Sequence, residues 1–179
     1  MNRKGAFKDW QKKRPEDKPD WNKYLEYYIG QVKELCTNYG RIDGIWFDGS
    51  HKSEADWRGK YVYNLIKKYQ PGAVVNERAR RGDFFTPERS IIKWPIKYCW
   101  ESCQSIQTDS WGYSENTDFA PTKELIENYL RITGLGGNYL LNVGPKPDGS
   151  IRSEEVQRLL ELGKWIRSNK KTITAYQKI

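Results

Sequence analysis

Apolar residues recur along this chain at two periods, and the alternation between them outlines the architecture. From Trp21 to Tyr39 the positions Tyr24, Tyr28, Val32 and Leu35 fall at helical spacing, with Asp20 placed to cap the start and Gly40 to stop the end. Ile42 to Phe47 reads as a short buried strand. A second helix is predicted over residues 54–69, with Trp57, Tyr61, Leu65 and Ile66 on one stripe and Pro71-Gly72 ending it. Ala73 to Val75 is a strand, and residues 96–100 another, with a long loop over 77–95 between them. After a further loop over 101–120, Thr122 caps a helix reaching about Thr133, and Asn138 to Val143 forms a strand. Ser153-Glu-Glu155 opens the last helix, which carries Val156, Leu159, Leu160, Leu162 and Ile166. Strands alternating with helices at this spacing predict an α/β fold with a parallel sheet and right-handed crossovers. Both long loops follow strands, on the side of such a sheet where chemistry is placed.

Composition narrows the picture. At 179 residues the chain suffices for one domain, but falls short of the about 250 typical of a complete eight-stranded α/β barrel. No apolar run approaches the roughly 18 residues of a membrane span. The first ten residues hold no apolar stretch of the secretory type. The net charge is +8. Residues 1–23 carry eight Lys/Arg against four Asp/Glu, and residues 164–179 carry five with no acid. The two ends thus hold nine positive charges in excess, and the body between them sums to −1. A nucleic-acid groove needs its basic residues on the folded face, so that partner is not expected. Residues 1–20 and 173–179 read as basic polar ends flanking one domain over 21–172, with residues 8–20 a proline-containing loop. His51 is the lone histidine, and with Cys36, Cys99 and Cys103 it makes no zinc constellation, so neither a metal nor another cofactor is expected. Cys36 reads as core packing, and spacing alone does not decide whether Cys99 and Cys103 pair.

The strand ends carry the candidate chemistry. Ile45-Trp-Phe-Asp-Gly49 ends on a carboxylate, Val75-Asn-Glu-Arg78 on a guanidinium, and Tyr98-Cys-Trp-Glu101 on an indole and a carboxylate. Acids beside tryptophans suit a sugar site, where two carboxyl groups break a glycosidic bond and indoles stack on the ring. Asp48 is the candidate nucleophile; the plainer reading is an aspartate ordering the turn before Gly49. Glu88, in the first long loop, and Glu101, after Trp100, compete as the acid. The plainer readings are a solvated loop acid for Glu88 and an ionic partner of Arg78 or a lysine for Glu101. Arg78 is placed to hold sugar hydroxyls or to form an internal ion pair. Trp46, Trp100 and Trp111 are candidates for stacking on sugar, or else core residues.

These motifs together resemble the α-L-fucosidases of glycoside hydrolase family 29. The resemblance runs from about residue 20 to about residue 172. It rests on Asn38-Tyr-Gly40 leading into Ile45-Trp-Phe-Asp-Gly49, then Val75-Asn-Glu-Arg78 and Asp83-Phe-Phe-Thr-Pro-Glu88. Trp100-Glu-Ser-Cys103, Ser110-Trp-Gly-Tyr113, Gly136-Gly-Asn-Tyr-Leu-Leu-Asn-Val-Gly-Pro145 and Asp148-Gly149 follow in the family's order. The resemblance implies a retaining hydrolase of terminal α-L-fucosides, with Asp48 as nucleophile and Glu88 as acid/base. The position of Glu101 has also been proposed for that role in the family. Trp46 and Arg78 match positions that touch fucose. The chain departs from the family by starting near the third barrel strand, without the earlier half that supplies several histidines, and without the following β-sandwich. The expected fold is therefore a partial (β/α) TIM-type barrel, the second half of a glycosidase barrel, completed by self-association or by a complementary chain. The alternative expectation is a catalytically silent, carbohydrate-binding or scaffold fragment.

Overall fold

In the computed structural model, which describes residues 20–49, 53–171 and 173, the first helix forms where the periodicity puts it. Helix α1 spans Trp21–Asn38, and the Asp20 carboxylate accepts hydrogen bonds from the backbone N–H groups of Asn22 and Lys23 at 3.0 and 3.2 Å. These are two of the four donors that a helix start leaves unsatisfied. Its buried stripe is Leu25, Val32 and Cys36, rotated from the expected one: Tyr24 and Leu35 face solvent. Cys36 is core, as its position suggested.

Strand β1 is short, Gly44–Ile45, and pairs in parallel with β2, Val74–Val75. The expected buried strand over 42–47 is thus a two-residue pairing with half its positions exposed. The reason is its place at the sheet edge, with a neighbour on one side only among the described residues. Between these strands the expected single helix is two: α2, Glu54–Trp57, and α3, Gly59–Tyr69. Ser53 and Asp56 form a reciprocal capping box that closes α2 as one turn, and Arg58 reverses to a left-handed φ of 51°.

The segment expected to be loop over 77–95 contains structure. A 3₁₀ turn, Glu77–Ala79, leads to strand β3, Phe84–Phe85, which pairs in parallel with β4. A parallel bridge from Asn76 to Phe84 joins the two sheets. Strand β4 spans Cys99–Ser105, longer than expected and reaching into the second predicted loop. Helix α4, Thr122–Gly134, follows, then β5, Asn138–Asn142, parallel to β4 with Glu101 opposite Asn138 and Ser105 opposite Asn142. Helix α5, Ser153–Ser168, comes last. The five strands therefore lie side by side in chain order, all parallel, an α/β arrangement.

Two hydrophobic cores back this sheet. One gathers Val32, Cys36, Val62, Ile66, Ala73 and Val75 beneath β1 and β2. The other gathers Ile106, Ala120, Leu125 and Leu162 between β4, β5, α4 and α5. No helix among the described residues is long and apolar enough to cross a membrane. The basic segment 1–20 apart from Asp20, with its predicted loop, the basic tail 173–179 apart from Ile173, and His51 lie outside the described residues.

Candidate active site

The carboxyl ends of the strands converge on an open cavity of about 430 Å³, lined by Trp46, Asp48, Arg78, Glu88, Cys103, Trp111, Leu140 and Asn142. Asp48 reaches it because β1 is prolonged by a side chain. Asn76, fully buried, accepts from the Phe47 N–H at 2.7 Å and donates to the Phe47 carbonyl at 2.8 Å. A side-chain amide thus continues the ladder that the backbone has stopped making. Asp48 itself is 80% exposed. Its Oδ1 accepts from the Arg78 Nη1 at 2.7 Å and from the Gly49 N–H at 2.8 Å. Among the described residues its other oxygen makes no hydrogen bond.

Arg78 is the hub. It leaves the 3₁₀ turn after β2 with its side chain only 12% exposed. Its Nε donates to the Thr86 hydroxyl at 3.0 Å and its Nη2 to the Thr86 carbonyl at 3.1 Å. Thr86, itself buried, donates its hydroxyl and its N–H to Glu77. The guanidinium is therefore locked from behind, by a fork that a lysine does not possess. Its Nη1 faces forward, 2.7 Å from Asp48 and 3.1 Å from the Glu88 carboxylate. Two carboxylate oxygens that share one nitrogen lie no farther apart than the sum of those contacts, 5.8 Å. Retaining glycosidases hold their carboxyl pair about 5–5.5 Å apart, and inverting ones about 6.5–9.5 Å.

Glu88 is not on a free loop. It bridges in parallel to Cys103 of β4, with the Cys103 N–H donating to Pro87 and the Arg89 N–H donating to Cys103. Glu101 belongs elsewhere than at a strand end: it is the third residue of β4, two positions before Cys103 on the same face. It does not line the cavity and accepts the Trp46 indole N–H at 3.2 Å. Its supposed tie to Arg78 is replaced by that indole. Trp46 in turn lies under Arg78, whose guanidinium carbon sits 4.5 Å from the ring centre.

Trp100 is corrected. It is a neighbour of Glu101 on a strand, so it points to the opposite face. There it is 2% exposed and donates its indole N–H to the Leu135 carbonyl at 3.3 Å. Gly137 lies flat against it; a Cβ there would come within 2.4 Å of the ring. Trp111, 36% exposed, does line the cavity, with its carbonyl accepting from Asn142 at 2.8 Å.

Sequence reading missed Asn76, Thr86, Cys103 and Asn142. Asn76, Thr86 and Asn142 stand at or just beyond strand ends inside the quoted motifs, a signal that was available, whereas Cys103 lies within β4. Burial pushes the Cys103 thiol up to about 11, helped by the charge of Glu101, so it remains protonated at neutral pH. All three cysteines are unpaired thiols. Among the described residues no group of three or more His, Cys, Asp or Glu is placed to hold a metal ion.

The sequence model described as alpha-L-fucosidase matches residues 5–171, nearly the whole chain. The chain belongs to the alpha-L-fucosidase family. Tissue alpha-L-fucosidase of Macaca fascicularis is 31% identical over 169 residues, which cover 84% of this chain and 36% of that one. Alpha-L-fucosidase isoenzyme 1 from Paenibacillus thiaminolyticus superposes with a TM-score of 0.78 at 34% identity, covering 88% of this chain and 42% of that one. A Bacteroides thetaiotaomicron alpha-L-fucosidase of family GH29, described as a trapped covalent intermediate with 2-fluoro-fucosyl fluoride, superposes with a TM-score of 0.70 at 26% identity, covering 82% and 40%. The chain spans about a third of the length of the curated family members it matches.

Proposed function

We propose that this chain hydrolyses terminal α-L-fucosides with retention, as the catalytic-carboxylate portion of a (β/α) barrel occupying residues 21–172. The observation that carries the reading is the shared nitrogen of Arg78, which keeps one oxygen of Asp48, Oδ1, within 5.8 Å of one oxygen of Glu88, Oε2. That closeness favours the retaining arrangement over the inverting one, which must leave room for a water. Asp48 Oδ1 is engaged by Arg78 and Gly49, so the attack falls to its other oxygen. This oxygen bonds to the anomeric carbon as the glycosidic C–O bond breaks, and Glu88 gives its proton to the departing oxygen. In the second step Glu88 takes a proton from water, the water oxygen bonds to the anomeric carbon, and the ester to Asp48 breaks. Trp46 and Arg78 hold the fucose ring and its hydroxyls, and Trp111 stacks on sugar. Glu101 serves to orient Trp46.

Five parallel strands in chain order support the barrel reading. β1 and β5 each have one edge unpaired among the described residues, and open edges recruit further strands. We infer completion by a second copy or by a complementary chain. The exposure of Asp48 favours a second reading, a carbohydrate-binding fragment without turnover.

Incubation with 2-fluoro-fucosyl fluoride, followed by mass spectrometry of the intact chain and its peptides, tests the proposal. A covalent adduct on Asp48 is expected. Binding of fucose without an adduct on Asp48 would replace hydrolysis by the second reading. Sedimentation under the same conditions measures completion: a dilute, fully active monomer would refute the need for a partner.

A further inference from the structure

Glu155 is fully buried, and no step of the chemistry uses it. It sits in the first turn of α5, and one of its oxygens, Oε1, accepts from two other segments. The Gly144 N–H, two residues beyond the end of β5, donates to it at 3.0 Å. The Gln107 amide, two residues beyond the end of β4, donates to it at 3.3 Å. A single oxygen thus ties together the continuations of two neighbouring strands. Gly144 leaves the tie no slack, since a Cβ there would collide with the Gln107 amide and come within 3.0 Å of the Gly112 backbone. Gly112 follows Trp111, Asn142 stands two residues before Gly144, and both Trp111 and Asn142 line the cavity. The two are joined by the hydrogen bond from the Asn142 amide to the Trp111 carbonyl.

The grip continues on either side of Glu155 at a spacing of three residues, which keeps the contacts on one face of α5. Arg152 donates to the Ser114 carbonyl at 2.7 Å and lies over the rings of Tyr113 and Phe119. Arg158 donates to the Ala120 carbonyl at 2.7 Å and lies over Phe119 from its own position. The segment from Gln107 to Ala120 is therefore held by α5 at its start, its middle and its end. Stability alone is poorly served at the central contact. Glu155 Oε2 and Gln107 Oε1 are buried and make no hydrogen bond, although buried polar atoms are rarely left so. Local rules of this kind are broken where function requires it. We propose that Glu155 is a positioning residue: through Gly144 and Gln107 it sets where Asn142 and the Trp111 wall stand, and so governs affinity for substrate and not the bond-breaking step. The reacting groups are held by other means. Asp48 follows β1, Arg78 is locked at Thr86, and Glu88 is bridged to Cys103 within β4. This inference rests on the assignment of the cavity as a fucoside site.

The test compares Glu155→Met with Glu155→Gln on an aryl α-L-fucoside. Glutamine keeps an oxygen for the two donors, whereas methionine is of similar length and offers only a weak acceptor. In Glu155→Met the KM should rise roughly three- to tenfold, the equivalent of about one net hydrogen bond. The kcat should stay within about twofold of the parent, the pattern of lost binding and not of lost chemistry. Glu155→Gln should return KM towards the parent value. Gly144→Ala, which displaces the same turn from the other side, should reproduce the methionine pattern and serves in its place if that variant does not fold. An unchanged KM, a loss carried by kcat, or failure of both variants to fold would reduce the cluster to a prop of the fold and overturn the proposal. If the wild-type chain turns over no fucoside, the hydrolytic reading fails by itself, and NMR of the free chain decides the positioning role. The Trp111 indole and Asn142 side-chain amide resonances should move in Glu155→Met and return in Glu155→Gln, with the Arg78 Nε resonance unmoved throughout. Movement of all three, or of none, overturns it.

Discussion

Replacing Arg78 separates the two halves of its role. Behind the guanidinium, two hydrogen bonds run to Thr86, which is 3% exposed. In front, the contacts go to Asp48, 80% exposed, and to Glu88, 46% exposed. Hydrogen bonds from a charged donor contribute about 1.5–3 kcal/mol each when buried, whereas exposed ion pairs contribute about 0–1 kcal/mol after solvent screening. Stability should therefore reside in the Thr86 fork, at about 3 kcal/mol, and function in the forward contacts. Arg78→Lys keeps a positive charge but lacks the fork, so it should lose nearly as much stability as Arg78→Ala. Urea unfolding measures this: with a slope of about 1–3 kcal/mol per molar, the midpoint should fall by about 1–3 M in both variants. A cycle with Thr86→Val isolates the pairwise contribution. A lysine variant within about 0.5 kcal/mol of the parent, beside an alanine variant that loses the full amount, would refute the division. The charge near the carboxylates would then be what holds the turn.

Asp48→Ala should abolish turnover of an aryl fucoside, with azide restoring part of the rate as a substitute nucleophile; no restoration would argue against a covalent role for Asp48. Glu88→Ala should slow substrates with poor leaving groups far more than activated aryl ones, and the same pattern in Glu101→Ala instead would move the acid role to Glu101. Burial alone would raise the Asp83 pKa, but hydrogen bonds from Lys67, Tyr63 and the Val75 N–H bring it below the usual carboxylate value. Its stabilisation is present above the unfolded pKa and lost as pH falls through the folded one, so Asp83→Asn should flatten the acid limb of a stability profile from about pH 7 to about pH 2; an unaltered limb would place that dependence in other groups. Gly137→Ala should cost about 1–3 kcal/mol by overpacking Trp100, and Trp100→Leu in the same chain should recover part of that loss. Additive losses in thermal unfolding would show that the two residues do not collide.

The helices were legible because their signals are local. Asp20 caps α1 through its own side chain, and the apolar spacing of α4 and α5 needs no distant partner. The sheet was less so. β4 reads Cys-Trp-Glu-Ser-Cys-Gln-Ser, and its buried residues include Ser102 and Ser105, so no hydrophobic alternation marks its length. Its polarity is stabilised by contacts that only the fold supplies, such as Ser102 donating to the Ser90 carbonyl. β3 is two phenylalanines inside a charged loop, paired only because β4 lies alongside. Among the site residues, Asp48, Arg78 and Glu88 were found as separate motif ends, but their meeting at one nitrogen is tertiary. Trp100 and Glu101 were both assigned to the cavity, although adjacent residues of a strand face opposite ways; the parity was readable and sufficed to exclude one of them. The left-handed residue between α2 and α3 is Arg58 and not the glycine, Gly59, that directly follows it, so the sequence did not announce the break.

The two cores share no residue. One lies under the strand that delivers Asp48, the other under the strands that carry Cys103, Leu140 and Asn142. Bodies cored separately unfold as separate cooperative units, so the amides of α1 and α3 should exchange their hydrogens at a different free energy from those of α4 and α5. The cavity draws its lining from both: Asp48 follows the strand over the first core, Leu140 and Asn142 belong to a strand over the second, and Arg78, anchored at Thr86, touches both carboxylates. The spacing on which the chemistry depends is then set by how firmly two semi-independent bodies are latched, and a ligand that bridges both would tighten the whole chain.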